Sequence, residues 1–285
     1  MNTFIATTLL LFIAVQAVQA APPADRTPPM SMDEIMQQLK DSELVYVIEP
    51  LAKHPQLKPE TFVDSYWPRH SKIRDDDDKE APAAGPAAHR ALFLKGRSFL
   101  QSKQYAEARE AWIDALVLHP QDTETLEALK TNEALLKIKV FNRPFVPQAL
   151  ARHAGAGIEV LTPEGGKAGQ SHWLAYGVLK AIWMGEPGFR KRMTHDPRHV
   201  WTATEELQSL ESLLQVYEVE KSESDFKPDP EAEWLRKIFA DGNGMGFVLY
   251  ELGSRVDPSL MQRVSQAERE KTRAYITNYV VTRLR

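Results

Sequence analysis

The sequence predicts an all-α protein: helical hairpins behind an irregular N-terminal segment, followed by a helical C-terminal domain. Three observations carry that expectation. Apolar residues recur at helical spacing through 89–139 and again from Trp173 onward. Proline and glycine gather in a few stretches and leave the periodic runs almost unbroken. Small residues, Gly96 and Ala108, stand where two successive helices would meet closely.

Composition bounds the rest. A chain of 285 residues suits one large domain or two modest ones, and 43% apolar with 26% charged residues is enough for a packed core. The net charge of −4 offers no concentrated basic field, so no nucleic-acid partner is expected. The chain has no cysteine. Disulfides, thiolate catalysis, cysteine-bound zinc and a lipid-modified cysteine are thereby excluded.

Residues 1–20 read as an export signal: Phe4–Val18 is mostly apolar, and Val18-Gln19-Ala20 precedes the cut. The start lacks Lys or Arg, which leaves a retained membrane anchor as the rival reading. With the signal removed, no other apolar run is long enough to span a bilayer, and the composition suits a periplasmic or secreted protein.

Residues 21–88 form an N-terminal segment and linker. Ala21–Pro29 is a Pro/Ala leader, and Met32–Leu39 reads as a short helix capped by Ser31. Leu44–Leu51 reads as a strand or a buried extended segment. Pro55, Pro59 and Pro68 then break regular structure, with Phe62, Tyr66 and Trp67 as anchors. Arg74–Ala88 is a linker whose run Asp75–Asp78 before Lys79 resembles an enteropeptidase cleavage site. A solvated loop explains it, and no function is assigned to it.

Residues 89–140 form a hairpin with a capping helix. The first helix is expected from about His89 to Lys103 and the second from Ala106 to Leu118, with Gln104-Tyr105 in the turn. Gly96 faces Ala108, Phe99 and Trp112 fill the space beside them, and Pro120 ends the second helix. Asp122–Lys139 follows as a third helix, with Leu126, Leu129, Asn132, Leu136 and Val140 toward the hairpin.

The signature Leu92-x-x-Lys95-Gly96-x-x-Phe99, then Ala108-x-x-x-Trp112, Ala115 and Pro120, covers His89–Asp122 and resembles one repeat of the tetratricopeptide (TPR) family. Lys95 departs from the pattern, where an apolar residue is usual. The resemblance implies a protein that holds other proteins. It also implies that the first helix lines the binding face with Arg90, Phe93, Arg97 and Gln101. Two arginines beside an aromatic ring suit a carboxylate or an acidic stretch. The competing reading is that both arginines are solvated or pair internally. One repeat cannot bury its own faces, so degenerate hairpins are expected to supply the rest.

Residues 141–285 read as a loop followed by a helical domain. The stretch 141–169 holds Pro144, Pro147, Pro163 and five glycines. Helices are expected over Trp173–Trp183, Thr202–Tyr217, Pro230–Phe239 and Pro258–Leu284, with Asp229 and Asp257 as caps. Candidate chemistry is thin. His195 and His199 are four apart, but Pro197 argues against a metal-binding helix. Asp241–Gly246 lacks the oxygen ladder of a calcium loop and reads as a tight turn. The acidic stretch Glu205–Glu233 and the basic residues Arg263, Arg269, Lys271, Arg273 and Arg283 read as intramolecular partners or solvated faces.

The expectation is therefore an exported adaptor with a protein or peptide partner and without a cofactor or metal. The alternative is a cell-envelope enzyme with its site in residues 153–199, using His172, His195 or His199 beside a carboxylate.

Overall fold

The computed structural model describes residues 42, 44–62, 86–163, 171–222, 224, 226–257 and 259–284, together with Glu34 and Gln37. The stretch read as an export signal, the expected Pro/Ala leader, Tyr66, Trp67 and the run Asp75–Asp78 lie outside these residues. So does most of Met32–Leu39, of which Glu34 and Gln37 are helical. The described residues are mostly helical, with two small sheets that the all-α expectation did not include.

Two antiparallel helices open the described body, α1 (Pro86–Gln101) and α2 (Tyr105–Leu118). Helix α1 starts three residues before the expected His89, because a proline is tolerated in the first turn. It ends in a left-handed Lys103 (φ 60°), with Gln104 N–H bonded to the Phe99 carbonyl and Lys103 N–H to that of Leu100. That is the Schellman closure, made here without glycine. Gly96 lies against Trp112: a Cβ at Gly96 would sit 2.5 Å from the Trp112 ring nitrogen. The indole lies over the bare backbone and donates to the Phe93 carbonyl at 3.1 Å.

The third helix is shorter than expected. Helix α3 (Thr123–Thr131) is capped by Asp122, which accepts from Thr125 N–H at 2.8 Å. The Asn132 side chain then bonds back to the Ala128 carbonyl at 2.8 Å, and α4 (Glu133–Leu136) ends in a left-handed Lys137. Residues Ile138–Val140 form β2, with the outer two side chains buried and Lys139 exposed.

The expected loop 141–169 contains a hairpin of β3 (Leu150–Ala154) and β4 (Gly157–Thr162). Gly155 takes φ +60° at the first position of the two-residue turn, as a II′ hairpin requires. Strand β1 (Tyr46–Pro50) runs parallel to β4, giving the order β1-β4-β3.

Helix α5 (Ser171–Gly185) is buried without a break from His172 to Met184, so it is a central helix enclosed on all sides. Around it come α6 (Pro187–Thr194), α7 (Ala203–Glu220) and α8 (Pro230–Ala240), the last two capped by Thr202 and Asp229. Helix α9 (Gly244–Phe247) widens into a π-turn at Val248–Gly253 and closes with α10 (Ser254–Val256). The single helix expected over Pro258–Leu284 is instead α11 (Leu260–Arg263), α12 (Gln266–Tyr275), a π-turn (Ile276–Val280) and β5 (Val281–Arg283). Ser265 restarts the helix through a capping box with Glu268, and β5 pairs antiparallel with β2.

One buried cluster joins Phe93 and Trp112 of the hairpin to Phe145, Trp173, Tyr217, Phe247 and Tyr275. A second cluster packs Ile158 and Val160 of the sheet on Leu174, Leu179 and Ile182 of α5. The inner face of α2 is thus covered by α12 and the π-turn after it. Among the described residues, no helix is long and apolar enough to cross a membrane.

Candidate functional site

Helix α1 is the outer member of its pair. Residues four, seven and eleven apart return to one side of a helix. On the outward side these are Arg90, Leu94, Arg97 and Gln101, all exposed. Phe93 is not on that side. It is 3% exposed and belongs to the core, and Leu94, 47% exposed, stands where an apolar contact was expected. Arg90 bonds Glu124 at 2.7 Å and lies over the Phe93 ring at 5.0 Å. Lys95, the departure from the signature, is exposed and lies over the Phe99 ring at 5.6 Å.

The three histidines of the alternative reading are not brought together. His195 is the left-handed cap residue of α6 and is exposed. His199 faces Glu205 at the start of α7, whereas His172 faces Glu220 at its far end. Both ring nitrogens of His172 are engaged, Nδ1 by Glu220 and Nε2 by Asp229 at 3.1 Å. Burial lowers its pKa, but the bonds and charges of Asp229 and Glu220 outweigh this and raise it. Both ring nitrogens face carboxylates inside the fold, so neither is aimed at a substrate proton, which unsuits the ring as a general base. Asp229 behaves in the opposite sense. Burial opposes its ionisation, yet hydrogen bonds from His172 and Trp173 hold its pKa at about 2.

The residues that sequence reasoning missed lie in a buried polar seam between α5 and α7. His172, Tyr176 and Lys180 recur every fourth residue along α5, which was the available signal. Lys180 is 2% exposed and donates to Glu205 and, at 2.9 Å, to Glu206. The Tyr176 hydroxyl also donates to Glu206. Desolvation would discharge the ammonium, but the two carboxylates raise its pKa instead. A protonated lysine of this kind is a structural cation, not a nucleophile.

A third buried group is Glu251, on the π-turn after α9. It accepts from Tyr275 at 2.9 Å, and the Gln121 amide approaches its other oxygen at 3.3 Å. Burial dominates and pushes its carboxyl up to about 7. The basic residues near the C-terminal end are tied internally. Arg273 and Arg283 both reach Glu110, at 2.6 and 3.1 Å, beside a cleft of about 400 Å³ that Arg109 and Asn278 also line. The segment Asp241–Gly246 is the turn that was expected, with Asp241 closing α8, Gly242 at φ +75° and Gly244 opening α9.

Among the described residues, two groups of side chains have metal-ligand composition: His89 with His119 and Asp122, and His54 with Glu49 and Glu159. No protein-family model matches the chain, and no curated protein or solved structure is significantly similar to it.

Proposed function

We propose that this chain is an exported adaptor in which α1 and α2 act as one TPR-like unit, holding a peptide or protein segment on the outward side of α1. The observation that carries the reading is the stripe Arg90, Leu94, Arg97 and Gln101. It sets an exposed apolar side chain between two guanidinium groups, on a helix whose other side is anchored in the core. An occupant with a carboxylate next to an apolar residue would satisfy both chemistries. The Arg90–Glu124 pair is solvent-exposed on both sides, and such pairs contribute only about 0–1 kcal/mol. Exchanging Glu124 for a partner's carboxylate therefore costs little. The buried histidine and lysine are already neutralised by carboxylates, so the enzyme reading has less support.

The test is crosslinking, with mass-spectrometric identification, of what co-purifies with the chain from its own cell envelope. An Arg90→Glu/Arg97→Glu variant runs alongside. A discrete partner lost in the variant, with an unchanged circular dichroism spectrum, is the expected outcome. A partner retained at full yield by the folded variant would remove this face from consideration.

A further inference from the structure

We propose that His89, His119 and Asp122 form a binding site for one divalent transition-metal ion of the zinc type. His89 lies near the start of α1, His119 directly follows α2, and Asp122 caps α3. The fold brings these three points together at the open end of the hairpin, opposite its turn. His89 Nε2 is 3.5 Å from one oxygen of Asp122, and His119 Nδ1 is 3.5 Å from the other. All three donor atoms lie within 4.8 Å of one another. Ligand atoms bonded at about 2.0–2.2 Å in a tetrahedral zinc site stand about 3.3–3.6 Å apart, so the two histidine–carboxylate spacings fit.

The donor types point the same way. Two imidazole nitrogens and one carboxylate suit zinc, copper, nickel or iron rather than magnesium or calcium, which prefer all-oxygen shells. Three protein ligands leave a fourth position open, on the side of the half-exposed His119. The carboxylate is already oriented: Oδ2 accepts from Thr125 N–H at 2.8 Å and from the Thr125 hydroxyl at 2.6 Å. Such outer partners are what hold a ligating group in place. His89 Nε2 is buried with no hydrogen-bond partner among the described residues, although it faces Asp122. Coordination would give that nitrogen a full partner. The neighbouring cation, Arg90, is paired with Glu124.

The other group of similar composition also has an unpartnered buried ring nitrogen, His54 Nε2, but it differs in holding a guanidinium. Arg152 reaches His54 Nδ1 at 3.3 Å and also bonds Glu159. A guanidinium can only donate, so the imidazole proton sits on Nε2, facing the two carboxylates. That cluster already has its cation. The hairpin site was not legible in the sequence, because His89 and His119 belong to no spacing motif and meet only through the helix pairing. It does not depend on the docking face proposed above.

The experiment uses the full chain without a polyhistidine tag, stripped with a chelator and titrated with ZnCl2 by calorimetry against a competing chelator. One saturable equivalent is expected, with a rise in Tm, since an ion bound only by the folded state stabilises it. His119→Gln and Asp122→Asn should each weaken binding more than about tenfold and abolish the Tm rise. Asparagine caps a helix as well as aspartate does, so the second variant keeps α3 intact. His195→Gln, on an exposed histidine elsewhere, should bind as the parent does. Absence of a one-equivalent event would overturn the proposal. So would equal affinity in the two folded ligand variants, or equally tight binding of MgCl2.

Discussion

Removing the Lys180 ammonium while keeping Glu205 and Glu206 would leave two buried carboxylates without their cation. Deleting one member of a buried ion group typically costs about 3–5 kcal/mol, most of it from the charge left behind. Lys180→Met should therefore lower stability by about that amount in urea denaturation. Adding Glu205→Gln and Glu206→Gln should return a large part of it, because the stranded charge is then gone. A variant no less stable than the parent would show that the seam is wetter than its burial indicates. The same logic explains His172: its value lies in the two carboxylates it neutralises, at the far end of α7 from Lys180.

Among the elements, the α1–α2 pair was the most legible, and for local reasons. Its apolar spacing, its bare Gly96 and its terminating Pro120 are all written within the segment itself. What could not be read was which residue lies on Gly96. The structure places Trp112 there, pinned by its bond to the Phe93 carbonyl. Gly96→Ala should accordingly destabilise the protein by about 1–3 kcal/mol, the usual cost of overpacking, seen as a lower denaturation midpoint at unchanged m-value. Strand β1 falls within Leu44–Leu51, which read as a strand or buried extended segment; its partners β3 and β4 were missed because they are short and lie far later in the chain. The break between α3 and β2 turned on the back-bonded Asn132 and the left-handed Lys137, which apolar periodicity does not reveal. The two π-turns likewise have no local signature in the sequence. The outward face of α1 was half legible. Arg90, Arg97 and Gln101 stand on it, but the phase was one residue off at Phe93, whose ring turns to the core.

At the scale of the whole molecule, the helix pair shares one core with the C-terminal half. Glu251 lies in that shared core, on the π-turn that Gln121 joins to the start of α3. Its carboxyl is raised from an ordinary 4.5 to about 7, chiefly by burial. An acid whose pKa is higher in the folded state contributes stability that is fully present below the unfolded pKa. That contribution is lost as pH rises through the folded value. The window here runs from about pH 4.5 to 7, and the loss is on the order of 3 kcal/mol. Glu251→Gln should therefore be more stable than the parent at pH 8, with the difference vanishing near pH 4. A thermal-melt series across that range would show it, and a constant offset would place the shift elsewhere. The seam between α5 and α7 has a different kind of consequence, one for descent. Because Glu205 and Glu206 share the Lys180 cation out of reach of water, losing that cation alone strands their charge. The three positions are coupled through the lysine, so a related chain with an apolar residue at 180 would carry uncharged residues at 205 and 206.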